Sequence, residues 1–180
     1  MKIFKFIFLL LIITSEAIGN TIFKDNFENP EKWLFISDQV MGGVSSGKVE
    51  FININNNLHA RMTGNVSTKN KGGFIQLRRK VEKLNLEGSK FIEIIAKGNN
   101  QNYFIHLRTT GTFLPWQYYQ ISFKALSNFK TFKLPINEFI RSSVFLSKNI
   151  NPKNITSIGI VAFGRDHSAD IHIKEIKFIN

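Results

Sequence analysis

No cysteine occurs anywhere in the 180 residues. This excludes disulfides and a thioether lipid anchor, so the fold must rest on its own hydrophobic core. Acids are scarce as well, with 13 Asp and Glu against 24 Lys and Arg. A glycosidase works through two apposed carboxylates, and no recognisably spaced acidic pair stands out here. Beyond residue 20 no segment keeps a 3.6-residue apolar period over three turns, which argues against a helical bundle or a doubly wound sheet.

The first residues, MKIFKFIFLLLIITSEAIGN, place Lys2 and Lys5 before an apolar run and end on small residues at Ala17 and Gly19. This pattern reads as a secretory signal peptide over residues 1–19, with cleavage before Asn20. The run falls short of the roughly 20 apolar residues that a membrane helix needs. The expected protein is therefore exported, to a periplasm or beyond. Removing Lys2, Lys5 and Glu16 leaves 22 bases and 12 acids, a net charge of +10. Such a balance suits an anionic partner, though scattered lysines also serve solubility. No nucleic-acid recognition motif is present, and export would remove that partner.

Residues 20–180 read as one all-β domain. Short β-branched or aromatic runs alternate with Gly, Asn and Pro, which predicts strands over 21–27, 33–37, 48–53, 58–67, 73–81, 91–97, 103–109, 118–124, 130–134, 157–163 and 170–179. Their frequency predicts an antiparallel sandwich, with the chain's 18 phenylalanines filling the space between two sheets. The period-two alternation assigns faces. Phe74, Gln76 and Arg78 share one side, as do His106 and Arg108, Tyr118 and Gln120, and His59 and Arg61. If these strands are neighbours, guanidinium forks and rings share one outer surface, suited to sugar hydroxyls, carboxylates or phosphates. If not, the rows are ordinary solvated faces. Arg78, His106, Arg108, Trp116, Tyr118 and Gln120 are the candidate ligand-binding residues, Trp116 and Tyr118 forming a stacking platform after Pro115.

Gly43-Val44-Ser45-Ser46-Gly47 matches the G-x-S-x-G nucleophile elbow. An elbow needs a helix after the serine, and a strand pattern follows Gly47 instead. Asp166, His167, Asp170 and His172 cluster in GRDHSADIH, but turn and strand positions account for them better than a metal site. No catalytic residue, metal or cofactor is assigned.

The segments WLFISDQVMGGVSSGKV, GNVSTKNKGGFIQLR, NYFIHLRT, FKLPINEF and ITSIGI, in that order, resemble the complex I intermediate-associated protein 30 domain family. The resemblance implies a jelly-roll β-sandwich similar to galactose-binding domains. It also implies a non-enzymatic assembly factor or chaperone-like module with a protein partner at a membrane. Mitochondrial members of the family serve complex I on the matrix side, so export would put this chain on the opposite face of a membrane. The signature positions are Trp33, Asp38, Val40, Met41, Gly42, Gly43 and Ser45, then Asn70, Gly72, Gly73 and Phe74. Two roles stay open for them. In one, Gly42 and Gly43 adopt dihedrals closed to other residues, Asp38 and Ser45 hydrogen-bond loop amides, and Met41 and Trp33 pin the loop to the sandwich. In the other, the loop forms a rim of a binding cleft with Arg78 and Arg108. A carbohydrate or anionic small ligand is the alternative to a protein partner.

Overall fold

A computed structural model describes residues 19–180, and the expected signal peptide lies, but for Gly19, outside them. Twelve strands follow one another: β1 Thr21–Asp25, β2 Trp33–Ser37, β3 Ser46–Ile54, β4 Asn57–Val66, β5 Phe74–Lys80, β6 Phe91–Gly98, β7 Gln101–Thr109, β8 Tyr119–Ala125, β9 Lys130–Pro135, β10 Ile140–Arg141, β11 Ile155–Phe163 and β12 His167–Ile179. Eleven match the predicted strands to within a few residues. The two-residue β10 is too short to carry a periodic signal.

The strands form two six-stranded antiparallel sheets. One runs β10-β8-β7-β11-β5-β2, the other β3-β4-β12-β6-β9, with β1 also pairing β12. The long β12 pairs with β4 along its first half and with β1 along its second. A register shift between Ile173 and Glu175 lets Ile173 and Ile176 both face inward, which strict alternation would forbid. The architecture is the galactose-binding-like jelly-roll sandwich.

The core differs from the expectation in its composition. Among the described residues twelve isoleucines are buried, but only four phenylalanines, Phe27, Phe123, Phe139 and Phe178. Isoleucine's stiff branched side chain packs well on a pleated surface. Several phenylalanines instead line the outer face of the first sheet or stand out from loops. The basic run Arg78-Arg79-Lys80 is split by the pleat. Arg79 turns inward and pairs with Asp25, whose carboxylate also accepts from Trp33 Nε1 at 2.9 Å and Phe27 N at 2.8 Å. Arg78 turns outward, and this small difference in parity sets up the site.

Candidate functional site: a groove across the outer face of one sheet

The central strand of the first sheet, β11, presents small side chains outward at Ser157 and Gly159, whereas its neighbours present large ones. Gly159 stands opposite Arg78 on β5 and opposite His106 on β7. His106 in turn faces Gln120 on β8, and Arg78 faces Leu34 on β2. Low residues in the middle and tall ones on both sides make a groove of about 720 Å³. Arg78, His106, Arg108 and Tyr118 all line it, with Gln76 and Phe163 on its floor.

The two arginine strands are thus separated by one strand, not adjacent, and that gap is the groove. The strand carrying His59 and Arg61 belongs to the opposite sheet. There Arg61 holds Asp170 through two bonds of 3.0 and 2.9 Å, so it is no part of this surface. Trp116 does not line the groove and projects outward from the β7–β8 loop, 62% exposed. Tyr118 does line it, with its ring stacked on His106 at 4.1 Å and 9°. Phe163 meets both rings edge-on, at 5.6 and 6.2 Å. Gln120 sits behind His106. The stacking surface is therefore Tyr118 with His106, without Trp116.

Burial pushes His106 down to about 4, with Gln120 offsetting part of the effect, so its ring is neutral at pH 7. Arg108 is lowered by burial and by the neighbouring Arg78 charge, and stays cationic. It also organises the loop beside it, donating to the carbonyls of Thr112, Leu114 and Pro115 at 3.1–3.3 Å. No carboxylate lines the groove, and Arg78 has no acidic partner among the described residues.

One wall is the signature loop, Gln39 to Met41. Its foundation is Asp38, which is fully buried. The Asp38 carboxylate accepts from Ser45 N at 2.9 Å, from Ser45 Oγ, and from the amides of Gly73 and Phe74. Ser45 Oγ accepts in turn from Ser67 N at 2.9 Å. Two side chains, Asp38 and Ser45, thereby tie together the ends of four strands. Burial pushes the Asp38 carboxyl up, but the donors outweigh that and hold it below the usual carboxylate range. Gly42 has φ of 85°, as expected for a left-handed cap. Gly43 is required for a different reason: a Cβ there would overlap the Asp38 carboxyl, and one at Gly72 would do the same.

Two expectations for the loop need correction. Met41 does not pin it to the sandwich, because Met41 and Val40 are exposed on the groove rim. The loop is anchored from beneath by the buried polar knot, and Trp33 is buried with Phe27. Ser45, whose motif matches a nucleophile elbow only in form, is sealed in that knot, as a structural corner requires. Asn70 takes φ of 55° in the turn before Gly72, a backbone role. Asp166 accepts from Thr68 N and Oγ1 at 2.7 and 2.8 Å, so the GRDHSADIH cluster spends its acids on structure. Sequence reasoning missed Leu34, Ile36, Gln39, Ser157, Gly159 and Val161. For β11 the signal was present in SIGIVAF, whose outward positions are small ahead of Phe163.

The family model for Complex I intermediate-associated protein 30 matches residues 23–173. The chain belongs to this family. Among curated proteins none matches it. The sandwich is similar to the family 11 carbohydrate-binding module from Clostridium thermocellum, solved in complex with a beta-1,3-1,4-mixed-linked tetrasaccharide. That structure has a TM-score of 0.68 and 17% identity over 91% of this chain and 97% of that one. A second structure of the module, from a cellulosomal cellulase of that organism, gives 0.68 and 14% over 92% and 97%. An exo-beta-agarase gives 0.57 and 11% over 86% of this chain and 25% of its own. At these identities the likeness concerns the fold.

Proposed function

We propose that this family member is a non-catalytic binding module whose groove takes an extended carbohydrate carrying carboxylate or sulfate groups. The observation that carries the proposal is the pair Arg78 and Arg108, set in a groove with no lining carboxylate. Two cations held in a partly dehydrated, aromatic-lined site repel each other, and an anionic ligand relieves that repulsion. Guanidinium forks bind carboxylate and sulfate in two-pronged geometry. The Tyr118–His106 pair offers an apolar ring face to the C–H side of a sugar, and Gln39 and Gln76 offer amides to hydroxyls. A groove of about 720 Å³ lies within the usual range for ligand sites. The tetrasaccharide bound to the structurally similar module supports a sugar-sized occupant. The leader-like residues 1–19 support a location outside the cytoplasm, where acidic glycans are met.

A protein partner, as the family description suggests, is the second reading, favoured by the exposed apolar rim of Leu34, Val40 and Met41. Calorimetric titration with oligogalacturonates, against a neutral mixed-linked glucan, separates the readings. Binding of the acidic oligomer alone, weakened at least tenfold in Arg78→Gln with the melting temperature unchanged, is the expected result. Equal binding of the neutral glucan would retain the groove but remove its acidic preference. No binding of either would leave the protein partner as the stronger reading.

A further inference from the structure

The groove-bearing sheet ends, on the β10 side, in a surface whose exposed apolar tips lie outside the groove. Two connections meet there, residues 110–118 between β7 and β8 and residues 142–154 between β10 and β11. Together with Ile140 they expose six large apolar side chains: Phe113, Leu114, Trp116, Ile140, Val144 and Phe145. Phe145 is 89% exposed, Phe113 83% and Val144 76%. Phe113 and Phe145 flank one shared hollow of about 370 Å³, which brings the two loops side by side. Soluble proteins expose single apolar residues freely, but a cluster of this kind marks a contact surface.

We propose that these loop tips insert into the interfacial layer of an anionic lipid membrane. The first support is how the loops are built. Several main-chain groups near their tips are satisfied by neighbouring side chains. Gln117 Oε1 accepts from Phe113 N and Leu114 N at 2.9 and 3.0 Å, and Arg108 covers three loop carbonyls. Arg141 donates to the carbonyls of Val144 and Leu146 at 3.2 and 2.6 Å. Ser142 joins the loops, donating to the Trp116 carbonyl at 2.8 Å and accepting from Tyr118 N at 3.0 Å. A loop that occupies polar backbone groups beside its outward rings strands fewer of them on entering a low-dielectric layer. Trp and Phe at such tips suit the headgroup boundary.

The second support is charge. Neither loop contains an acid, while residues 142–154 contribute Lys148 and Lys153. Arg108 and Arg141 add two further cations at the base of the loops, and Lys153 meets Glu87 at 4.0 Å. Cations beside apolar tips attract an anionic leaflet, which presents many headgroups at once. The occupant is thus a lipid surface, with the groove free beside it, since neither Phe113 nor Phe145 lines the groove.

The chain from Asn20 onward holds every strand of both sheets and is the material for the test, because the apolar leader would itself bind lipid. Its two tryptophans separate cleanly: Trp33 is buried and Trp116 exposed, so a lipid-induced change in emission reports the tip. Vesicles with one-third phosphatidylglycerol are expected to sediment the protein and shift its emission to the blue. Phosphatidylcholine vesicles are expected to do so at least tenfold less. The double variant Phe113→Ser, Phe145→Ser should lose at least tenfold in partitioning while melting and binding groove ligands as before. Absence of sedimentation with anionic vesicles overturns the proposal. So does sedimentation with unchanged emission and no effect of the double variant, which would mean adsorption by scattered lysines. Self-association abolished by the double variant, without vesicle binding, would assign the surface to a second copy and also overturn it.

Discussion

The outer faces of the two sheets treat their charges differently. On the sheet containing β12, four strand cations are answered, while Lys97, Lys130, Lys133 and Lys174 are not, among the described residues. Arg61 holds Asp170, Lys24 and Lys177 share Glu175, Lys177 also reaches Glu93, and Lys48 meets Glu50. On the groove-bearing sheet Arg78 has no carboxylate partner among the described residues, and Arg108 meets loop carbonyls, which leave its charge uncancelled. A protein with 13 acids and 24 bases cannot pair every cation, so where it leaves cations unpaired is informative. Exposed pairs contribute little to stability. The unpaired groove cations, crowded and partly dehydrated, are set against stability and in favour of an anion.

The largest effect should come from removing the base of the groove wall. Asp38→Ala strands four donors, at Ser45 and at Gly73 and Phe74, and should cost about 3–5 kcal/mol, readable as a lower urea midpoint. A loss below about 1 kcal/mol would mean that the knot is replaceable. Groove binding should fall together with stability in this variant alone.

Acid should act next. All four histidines, His59, His106, His167 and His172, are lowered chiefly by burial. Each folded value lies below the ordinary one, so the unfolded chain binds more protons in that window. Stability is full above about pH 6.5 and falls as pH drops toward the His106 value of about 4. His106 alone should contribute roughly 2–3 kcal/mol of that loss. Replacing it by Gln should flatten the melting-temperature profile between pH 6.5 and 4; an unchanged slope would assign the loss elsewhere.

The smallest effect separates the two faces most directly. Arg61→Ala should cost about 0.5–1 kcal/mol and leave groove binding untouched. Arg78→Ala should leave stability within about 0.5 kcal/mol while binding is lost. Equal stability losses in the two variants would erase the distinction between a paired structural face and an unpaired binding face.

Much of this was legible beforehand. The strand positions and the faces of Arg78, His106, Arg108, Tyr118 and Gln120 followed from alternation, because a strand's period of two is a local property. The hydrogen-bonding role of Asp38 and Ser45 followed from residue type. Exposure at Met41 and the absence of Trp116 from the groove were not legible, because loops are placed by contacts distant in sequence. The true reason for Gly43 was equally hidden, since it is the neighbouring carboxylate, not a backbone angle, that excludes a side chain.

The sequence by itself determined an all-β sandwich, a family, and which side of each strand its polar and aromatic residues occupy. Only the tertiary structure decided that β11 lies between β5 and β7, and so that Arg78 and Arg108 stand diagonally across its small residues Gly159 and Ser157. Strand order depends on pairings between segments dozens of residues apart. A local pattern records which way a side chain points, but not which neighbour it meets.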